Sequence, residues 1–291
     1  MFLYWLFALV LFTGTSSYAA SRSSPIILSG TTLNASTVSA CLADVKPGTI
    51  VVLGERHRND LHQAYQLMVM SELRSRGLAV SVGMEFLDRP DQSHLDDFRR
   101  GRTNETEFLR AVSWKGSLDH YRDQILFPAA AQNTIALNVA RRVTTQIANQ
   151  GLKVLNAEDR KQLPKDFAIE GRGNDLYFQR FKAAMPREIS ESDKIENYFM
   201  AQSAWDDTMA WTATEYIRSH PQEVLVIVVG DFHVIYNGGL PERLRKRGAT
   251  DVVTISMLPT APPMTRVEKE QATSPHGPDG PRADWIWLAP E

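Results

Sequence analysis

Five short apolar segments, rich in valine and isoleucine, recur along the chain and predict buried β-strands. They are TIVVL (49–53), LAVSVGM (78–84), NTIALNV (133–139), VLVIVV (224–229) and DVVTISM (251–257). Continuous apolar runs of this length are typical of parallel strands covered on both faces. Two further segments are weaker predictions: KVLNA (153–157) as a sixth strand, and DWIWL (284–288) as an edge strand or a packed end.

The stretch between the first two strands predicts a helix that starts at Asn59 or Asp60 and runs to about Arg76. Asparagine and aspartate are good N-cap residues, and Gly77 is a typical helix stop. Apolar residues at 61, 64, 65, 68 and 73 give this helix one hydrophobic face. A strand, a helix and a second strand at this spacing indicate a parallel βαβ unit.

Two regions, 93–128 and 158–220, carry helical patterns without strand runs. The predicted fold is therefore α/β: a mostly parallel sheet flanked by helices, with a smaller inserted helical domain over the crevice at the carboxyl ends of the strands. The predicted organisation is a signal peptide (1–19), a lead-in (20–47), an α/β domain (48–258) that contains these insertions, and a proline-rich tail (259–291).

The N-terminal segment has the features of a secretory signal. Its apolar run, residues 2–12, is too short to span a bilayer, and small residues allow cleavage after Ala19. VSAC (38–41) resembles a lipobox but lies too far beyond the apolar run to serve as one. We therefore expect an exported, periplasmic protein with no lipid anchor and no transmembrane span after cleavage.

Charge and cysteine content narrow the function classes. The 291 residues contain 32 Lys+Arg and 34 Asp+Glu, giving a net charge of −2, so there is no basic field for nucleic acid. Cys41 is the only cysteine, which excludes an intramolecular disulfide, a Cys₄ zinc site and covalent haem attachment through CxxCH.

Polar residues follow four of the predicted strands. They are Gly54, Glu55 and His57; Glu85; Asn138, Arg141 and Arg142; and Gly230, Asp231 and His233. Because ligands of parallel α/β sheets bind beyond the carboxyl ends of the strands, these side chains predict a polar crevice. Two of the strand ends share the pattern Gly-x-x-His.

Three chemistries fit this set of residues. His57, Glu85 and His233 could hold a divalent metal, Glu55 and Glu85 could act as acid and base, or the histidines could bind the carboxylates of a large ligand. A histidine at a strand end can also simply bond a loop carbonyl. HExxH, which would fix two metal ligands on one helix face, is absent. Gln202 and Asp206, four apart on a helix, either line the crevice or face water.

Five stretches, in order, resemble the ChaN-like haem-binding proteins of the Tiki/TraB/erythromycin-esterase-like superfamily. They are LGERHRNDLHQ (53–63), VGMEFLDRPDQ (82–92), IALNVARRV (135–143), AQSAWDDTMA (201–210) and VVGDFHVIYNGGLPERLRKRG (228–248). The chain departs from the family pattern at Arg58, because the position after the first histidine is often acidic. The missing lipobox is a second departure and favours a soluble periplasmic form.

The resemblance implies an exported protein of haem or iron uptake. It implies non-covalent haem binding by a tyrosinate, with subunits paired as a homodimer around stacked haems. The superfamily signature maps onto His57, Glu85 and His233. In the Tiki branch this constellation supports a metal-dependent peptidase, and in the esterase branch it activates water.

Haem needs an apolar slot, an axial ligand and cations for its propionates. We expect Tyr121 as the axial ligand, then Tyr198, with Tyr236 as a third candidate; Arg141 and His62 are further predicted haem contacts. Haem capture without catalysis is the leading hypothesis. The alternative is a hydrolase that uses Mn, Co or Zn on His57, Glu85 and His233, with Glu55 and Glu85 as its catalytic carboxylates.

Overall fold

The computed structural model describes residues 24–167, 175–258, 265–275 and 280–288. The signal peptide predicted at 1–19 lies outside these residues. The strands are β1 (Ile26–Ser29), β2 (Ala35–Ser36), β3 (Ile50–Glu55), β4 (Ala79–Asp88), β5 (Thr134–Asn138), β6 (Glu223–Gly230), β7 (Val252–Met257) and β8 (Trp285–Leu288).

Within the described ranges these strands form one eight-stranded sheet in the order β2-β1-β8-β7-β3-β6-β4-β5. The pairs from β8 to β5 are parallel, whereas β1 is antiparallel to both of its neighbours. The predicted α/β class and the five principal strands are confirmed. β3 and β6 lie side by side in the middle of the sheet, although about 170 residues separate them along the chain.

Two of the weaker strand predictions need correction. DWIWL forms β8, but β8 lies between β7 and β1 rather than at an edge, because a hairpin of β1 and β2 extends the sheet beyond it. KVLNA is not a strand. It forms a 3₁₀ turn, Leu152–Val154, and the Asn156 side chain then caps a short helix by accepting a hydrogen bond from Asp159 N.

The helices are α1 (Val38–Cys41), α2 (Asp60–Ser75), α3 (Gln92–Arg99), α4 (Glu105–Ala111), α5 (Arg122–Leu126), α6 (Arg141–Gln150), α7 (Ala157–Arg160), α8 (Asp175–Ala184), α9 (Arg187–Ser190), α10 (Ile195–Ser219), α11 (Leu240–Lys246) and α12 (Arg266–Thr273). Asn59 caps α2 by accepting from Leu61 N and His62 N, as the sequence predicts. No helix in the described part of the chain is long and apolar enough to cross a membrane.

The central strands are buried on both faces, which explains their unbroken apolar sequence. In β3, Val51 and Leu53 contribute to the core that contains the buried face of α2, whereas Ile50 and Val52 contribute to the core that contains α10. Successive side chains of a strand point to opposite faces, so a strand between two helical layers must be apolar at every position.

The helix α10 has two roles. Its middle, around Met209 and Ala213, belongs to the core that covers the sheet. Its first turns, with Ile195 and Phe199, pack with α8 and with Phe232, which directly follows the end of β6. The region 158–220 therefore supplies one layer of the α/β sandwich as well as a helical cluster beside the carboxyl ends of the strands.

Candidate functional site

The two Gly-x-x-His motifs interlock at the carboxyl ends of β3 and β6. Glu55 is paired in register with Gly230. A Cβ on Gly230 would lie 2.7 Å from His57 Cε1, and a Cβ on Gly54 would lie 2.6 Å from Asp231 Oδ1. Each glycine therefore leaves space for a polar side chain of the other motif, and the repeated pattern builds one site from two distant segments.

Glu55 is buried, and its carboxylate is the centre of the first half of the site. Oε1 accepts a hydrogen bond from Tyr121 Oη at 2.6 Å, and Oε2 accepts one from Gln66 Nε2 at 2.6 Å. His57 Nδ1 lies 3.2 Å from the same Oε1. The hydrogen bond with Glu55 raises the pKa of His57 above 6.5.

Tyr121 fixes the loop that carries His57. Its hydroxyl accepts a hydrogen bond from Arg58 N at 3.2 Å while donating to Glu55. Arg58 has a φ of +57°, a left-handed conformation that turns the loop sharply. Burial and the neighbouring Glu55 carboxylate raise the pKa of Tyr121 far above its usual range. Its phenol is therefore held in the neutral form.

The imidazole of His233 lies between two carboxylates, that of buried Asp206 and that of Glu85, whose side chain is 13% exposed. Nδ1 lies 2.5 Å from Asp206 Oδ1, and Nε2 lies 3.3 Å from Glu85 Oε1. Glu85 Oε2 also accepts from Gly230 N at 2.6 Å. Burial alone lowers the pKa of His233, but the charges of Asp206 and Glu85 outweigh it and raise the pKa to about 10. His233 is an imidazolium at neutral pH.

Two polar side chains extend this buried network into the helical layer. Tyr177 donates from Oη to Asp206 Oδ2 at 2.8 Å, and Gln202 donates from Nε2 to Tyr177 Oη at 3.2 Å. Since Tyr177 belongs to α8 and Asp206 to α10, the network joins both helices to the end of β6.

A crevice of about 550 Å³ opens between the strand ends and α8. Its lining consists of Glu55, Arg56, His57, Phe181, Ala184, Met185, Gln202, Gly230, Asp231, Phe232, His233, Met257 and Arg282. Apolar walls with a few polar groups at one end are typical of small-molecule sites. The side chain of His57 is 53% exposed, so its ring stands at the opening of the crevice.

Next to the crevice, but outside its lining, a tyrosine lies between two arginines. Arg282 lines the crevice and forms an ion pair with Asp231. Its Cζ lies 5.9 Å from the ring centroid of Tyr236, and Arg180 Cζ lies 4.1 Å from that centroid. Tyr236 has a φ of +58°, an uncommon backbone conformation that in folded proteins concentrates at functional sites.

The structure brings together five of the predicted site residues: Glu55, His57, Glu85, His233 and Tyr121. Other predicted residues lie elsewhere or already have partners. His62 is buried, with Nδ1 accepting from Arg56 N at 2.9 Å and Nε2 lying 3.1 Å from Leu258 O. Both of its ring nitrogens therefore bond the backbone and hold the His57 loop.

Arg141 and Tyr198 do not line the crevice. Arg141 is exposed at the start of α6, where its backbone N–H donates to Asp88. Tyr198 is half-buried and packs against the aromatic cluster of α8 and α10. Contact of either side chain with haem stays a prediction.

The predicted metal ligands do not form an open ligand set. Across the described ranges, no group of three or more His, Cys, Asp or Glu side chains is arranged to hold a metal ion. The physical reason is the ion-paired state of His233, whose two nitrogens face Asp206 and Glu85. A protonated imidazole has no lone pair to offer a metal.

The sequence does not decide where Asp206 lies, and it carries no motif for several other contacts of the site. Asp206 faces neither water nor the crevice; it is fully buried and pairs with His233. Arg282 and Met257, which line the crevice, come from the region around β7 and β8, where no motif marks them. A carboxylate flanked by tryptophan, methionine and alanine in AQSAWDDTMA is the available signal of a buried charge.

Comparison with known proteins gives one family match. Residues 41–244 match the model of a family described as haem-binding uptake, Tiki superfamily, ChaN. The structure of ChaN of Campylobacter jejuni with cofacial haem has 18% sequence identity and a TM-score of 0.60, over 92% of this chain and 97% of that chain. This likeness shows a shared fold. The comparison with curated proteins found no match.

Two other solved structures are more distant. A mutant of the erythromycin esterase EreC in its open conformation has 13% identity and a TM-score of 0.41, over 72% of this chain and 70% of that chain. The type III effector HopBA1 has 12% identity and a TM-score of 0.43, over 93% of this chain and 97% of that chain.

Proposed function

Because the chain belongs to the haem-binding uptake family of the Tiki superfamily, we propose that it binds haem in the crevice between the strand ends and α8. The observation that carries the proposal is the lining itself: an apolar slot bounded by Phe181, Phe232 and Met257, with cationic groups on two sides. A flat, apolar dianion such as haem requires this combination.

One haem propionate binds at the opening of the crevice, to His57 and Arg56. Both side chains are exposed and line the crevice. The raised pKa of His57 favours its protonated form, which suits an anionic carboxylate better than a metal. The carboxylates of Glu55 and Glu85 do not repel the propionate strongly, because buried donors already bond them.

The iron ligand is Tyr236, which does not itself line the crevice but lies beside Arg282, a residue of that lining. Arg180 and Arg282 place two positive charges near the Tyr236 ring, where an anionic iron ligand would sit. Tyr121 has the opposite surroundings, since its hydroxyl donates to a buried carboxylate. When haem is bound, it supplies a ferric centre for transport, while the residues of this chain bind and orient it.

This proposal gives the affinity for haem a defined pH dependence. His57→Gln is expected to weaken haemin binding by roughly threefold to tenfold, as loss of one charge-assisted hydrogen bond implies. Since the propionate pairs with the protonated imidazole, the advantage in affinity of the parent chain over His57→Gln falls as pH rises through the raised pKa of His57. Absorbance titrations between about pH 6 and 9 measure both effects.

Comparing the pH dependence of haemin affinity in the parent chain and in His57→Gln isolates the contribution of His57. In His57→Gln this contribution to the pH dependence should be missing, because glutamine does not titrate. An equal pH dependence in both proteins would contradict the assignment of His57 to a propionate. His94→Gln, at an exposed position, is the matched control.

Export belongs to the same proposal. The apolar run at 2–12 followed by Ala19 motivates it, and haem capture outside the cytoplasm would require it. N-terminal sequencing of the mature protein from a periplasmic fraction should begin near residue 20. A mature protein that still starts at Met1 would contradict export through this signal.

A hydrolase is the second candidate, and one observation favours it. His57 bonds a buried carboxylate through Nδ1 while its ring faces a cavity, which is also the arrangement of a general base. Hydrolysis of p-nitrophenyl esters by the parent chain, abolished in His57→Gln, would support a hydrolase with His57 as general base. Equal rates of hydrolysis in the two proteins would contradict it.

A further inference from the structure

A second cavity lies on the outer side of α2, separate from the haem crevice. This groove, of about 670 Å³, runs between one face of α2 and the residues at the start of α5, and we call it the α2–α5 groove. It shares no lining residue with the crevice. On α2 it extends from Asp60 to Ser71, which corresponds to about 16 Å of helix.

The groove has an acidic rim and an apolar floor. Asp60, Asp119 and Asp123 line it, and none of the described residues in its lining is a lysine or an arginine. Half-buried Leu67 and Met68 contribute the apolar part. The ligand that complements this surface carries positive charges separated by apolar groups.

A buried amide in the wall of the groove requires a hydrogen-bond acceptor on the ligand in addition to positive charge. Gln63 is 6% exposed, and its Oε1 lies 3.3 Å from His120 Nδ1, which also lies 3.2 Å from Asp60. The Nε2 atom of Gln63 has no hydrogen-bond partner among the described residues. A buried donor without a partner is costly, and an acceptor from a ligand would satisfy it.

These two requirements distinguish between classes of cation. A polyamine offers only donors, so it would pair with the aspartates and leave Gln63 Nε2 without an acceptor. A peptide offers ammonium groups for the aspartates and backbone carbonyl oxygens for the amide. An extended segment of about five residues matches the length of the groove on α2.

We propose that the α2–α5 groove binds a short extended segment of a partner protein in which lysines alternate with apolar residues. Side chains at alternate positions of such a segment point to the same side, so the lysines reach the acidic rim while the intervening residues meet the apolar floor. The groove would thus be a protein-docking site on α2. The N-terminus of α2 follows the loop that carries His57.

Calorimetric titration of the haem-free chain with the peptide Ac-Lys-Leu-Lys-Leu-Lys-NH₂ tests the proposal. We expect saturable binding with a Kd on the order of 10⁻⁴ M, weakened by added salt. The double variant Asp119→Asn/Asp123→Asn should bind roughly tenfold more weakly, as the loss of two exposed ion pairs implies. Gln63→Leu should bind at least about threefold more weakly because it lacks the amide donor.

The controls separate the groove from net charge. Asp44→Asn/Asp193→Asn makes the same charge change at exposed positions outside the groove and should leave the affinity unchanged. Three results would overturn the proposal: no saturable binding, an equal loss in both double variants, or spermidine binding as tightly as the peptide. Circular dichroism of each variant checks that the fold is retained.

Discussion

Replacing His233 by leucine is expected to lower the free energy of unfolding by about 3–5 kcal/mol. The substitution leaves Asp206, which is buried, and Glu85, whose side chain is 13% exposed, without their shared cation. Each carboxylate keeps one strong donor, Tyr177 Oη and Gly230 N respectively, but the unpaired negative charges remain largely shielded from water. Urea denaturation at pH 7 measures the loss.

The pH dependence identifies the cause. The pKa of His233 is about 10 in the folded chain and about 6.5 for an unperturbed histidine. The stability that His233 contributes is therefore fully present below about pH 6.5 and is lost as pH rises toward 10. The parent chain should lose stability across this window, and the part due to His233 should be missing in His233→Leu.

His94→Leu is the matched control for this experiment. His94 is exposed, and its replacement should change the free energy of unfolding by no more than about 0.5 kcal/mol. A loss below about 1 kcal/mol for His233→Leu would contradict the picture of a buried imidazolium between two carboxylates.

Replacing Tyr236 by phenylalanine is expected to reduce the affinity for haemin by at least about 100-fold. Mutating a residue that only hydrogen-bonds a metal ligand typically weakens binding by about 10-fold to 100-fold. Tyr236→Phe removes the ligand itself, so the loss of affinity should lie at the upper end of this range or above it. The absorbance spectrum of any remaining complex should lose the features of a tyrosinate-bound ferric haem. Absorbance titration with haemin measures both quantities.

Tyr121→Phe and Tyr198→Phe are the comparisons for this test. Tyr121→Phe removes hydrogen bonds to Glu55 and Arg58, so it should cost about 1–3 kcal/mol of stability while the haem spectrum is retained. Tyr198→Phe should leave the spectrum unchanged. Loss of the tyrosinate spectrum in Tyr121→Phe, with Tyr236→Phe unaffected, would move the iron ligand to Tyr121.

The sequence predicts the location of the site well because it depends on strand direction. Parallel strands bring their carboxyl ends to one edge, so Glu55, Glu85 and His233 had to lie close together once the strands were identified. The apolar residues of β3 and β6 form continuous runs. Such runs predict burial on both faces of the strand, but they do not specify the neighbouring strands.

The pairing of side chains could not be predicted, because it depends on strand order and register. The pattern Gly-x-x-His occurs after β3 and after β6, but only the alignment of Glu55 with Gly230 places one motif's glycine against the other motif's polar residue. The two histidines consequently have different states. His57 is exposed beside one carboxylate, and His233 is buried between two.

Residues outside the recognised stretches were the hardest to predict. Arg282 reaches the crevice because β8 returns between β7 and β1, a topology that the segment DWIWL does not reveal. Tyr121 is a polar aromatic residue in a helical region, and the sequence does not show that its hydroxyl bridges Glu55 and Arg58. These contacts arise from tertiary packing rather than from local pattern.

The most direct test of haem binding in the crevice is a haemin titration, followed by the Soret band, of the parent chain and two tryptophan variants. Ala184 and Ala183 are both exposed on α8, but only Ala184 lines the crevice. Haem binding in the crevice predicts saturation at about one haem per chain for the parent and for Ala183→Trp, and no saturable Soret change for Ala184→Trp, whose side chain projects into the crevice. Equal binding by the two tryptophan variants, or no saturable binding by the parent, would contradict it.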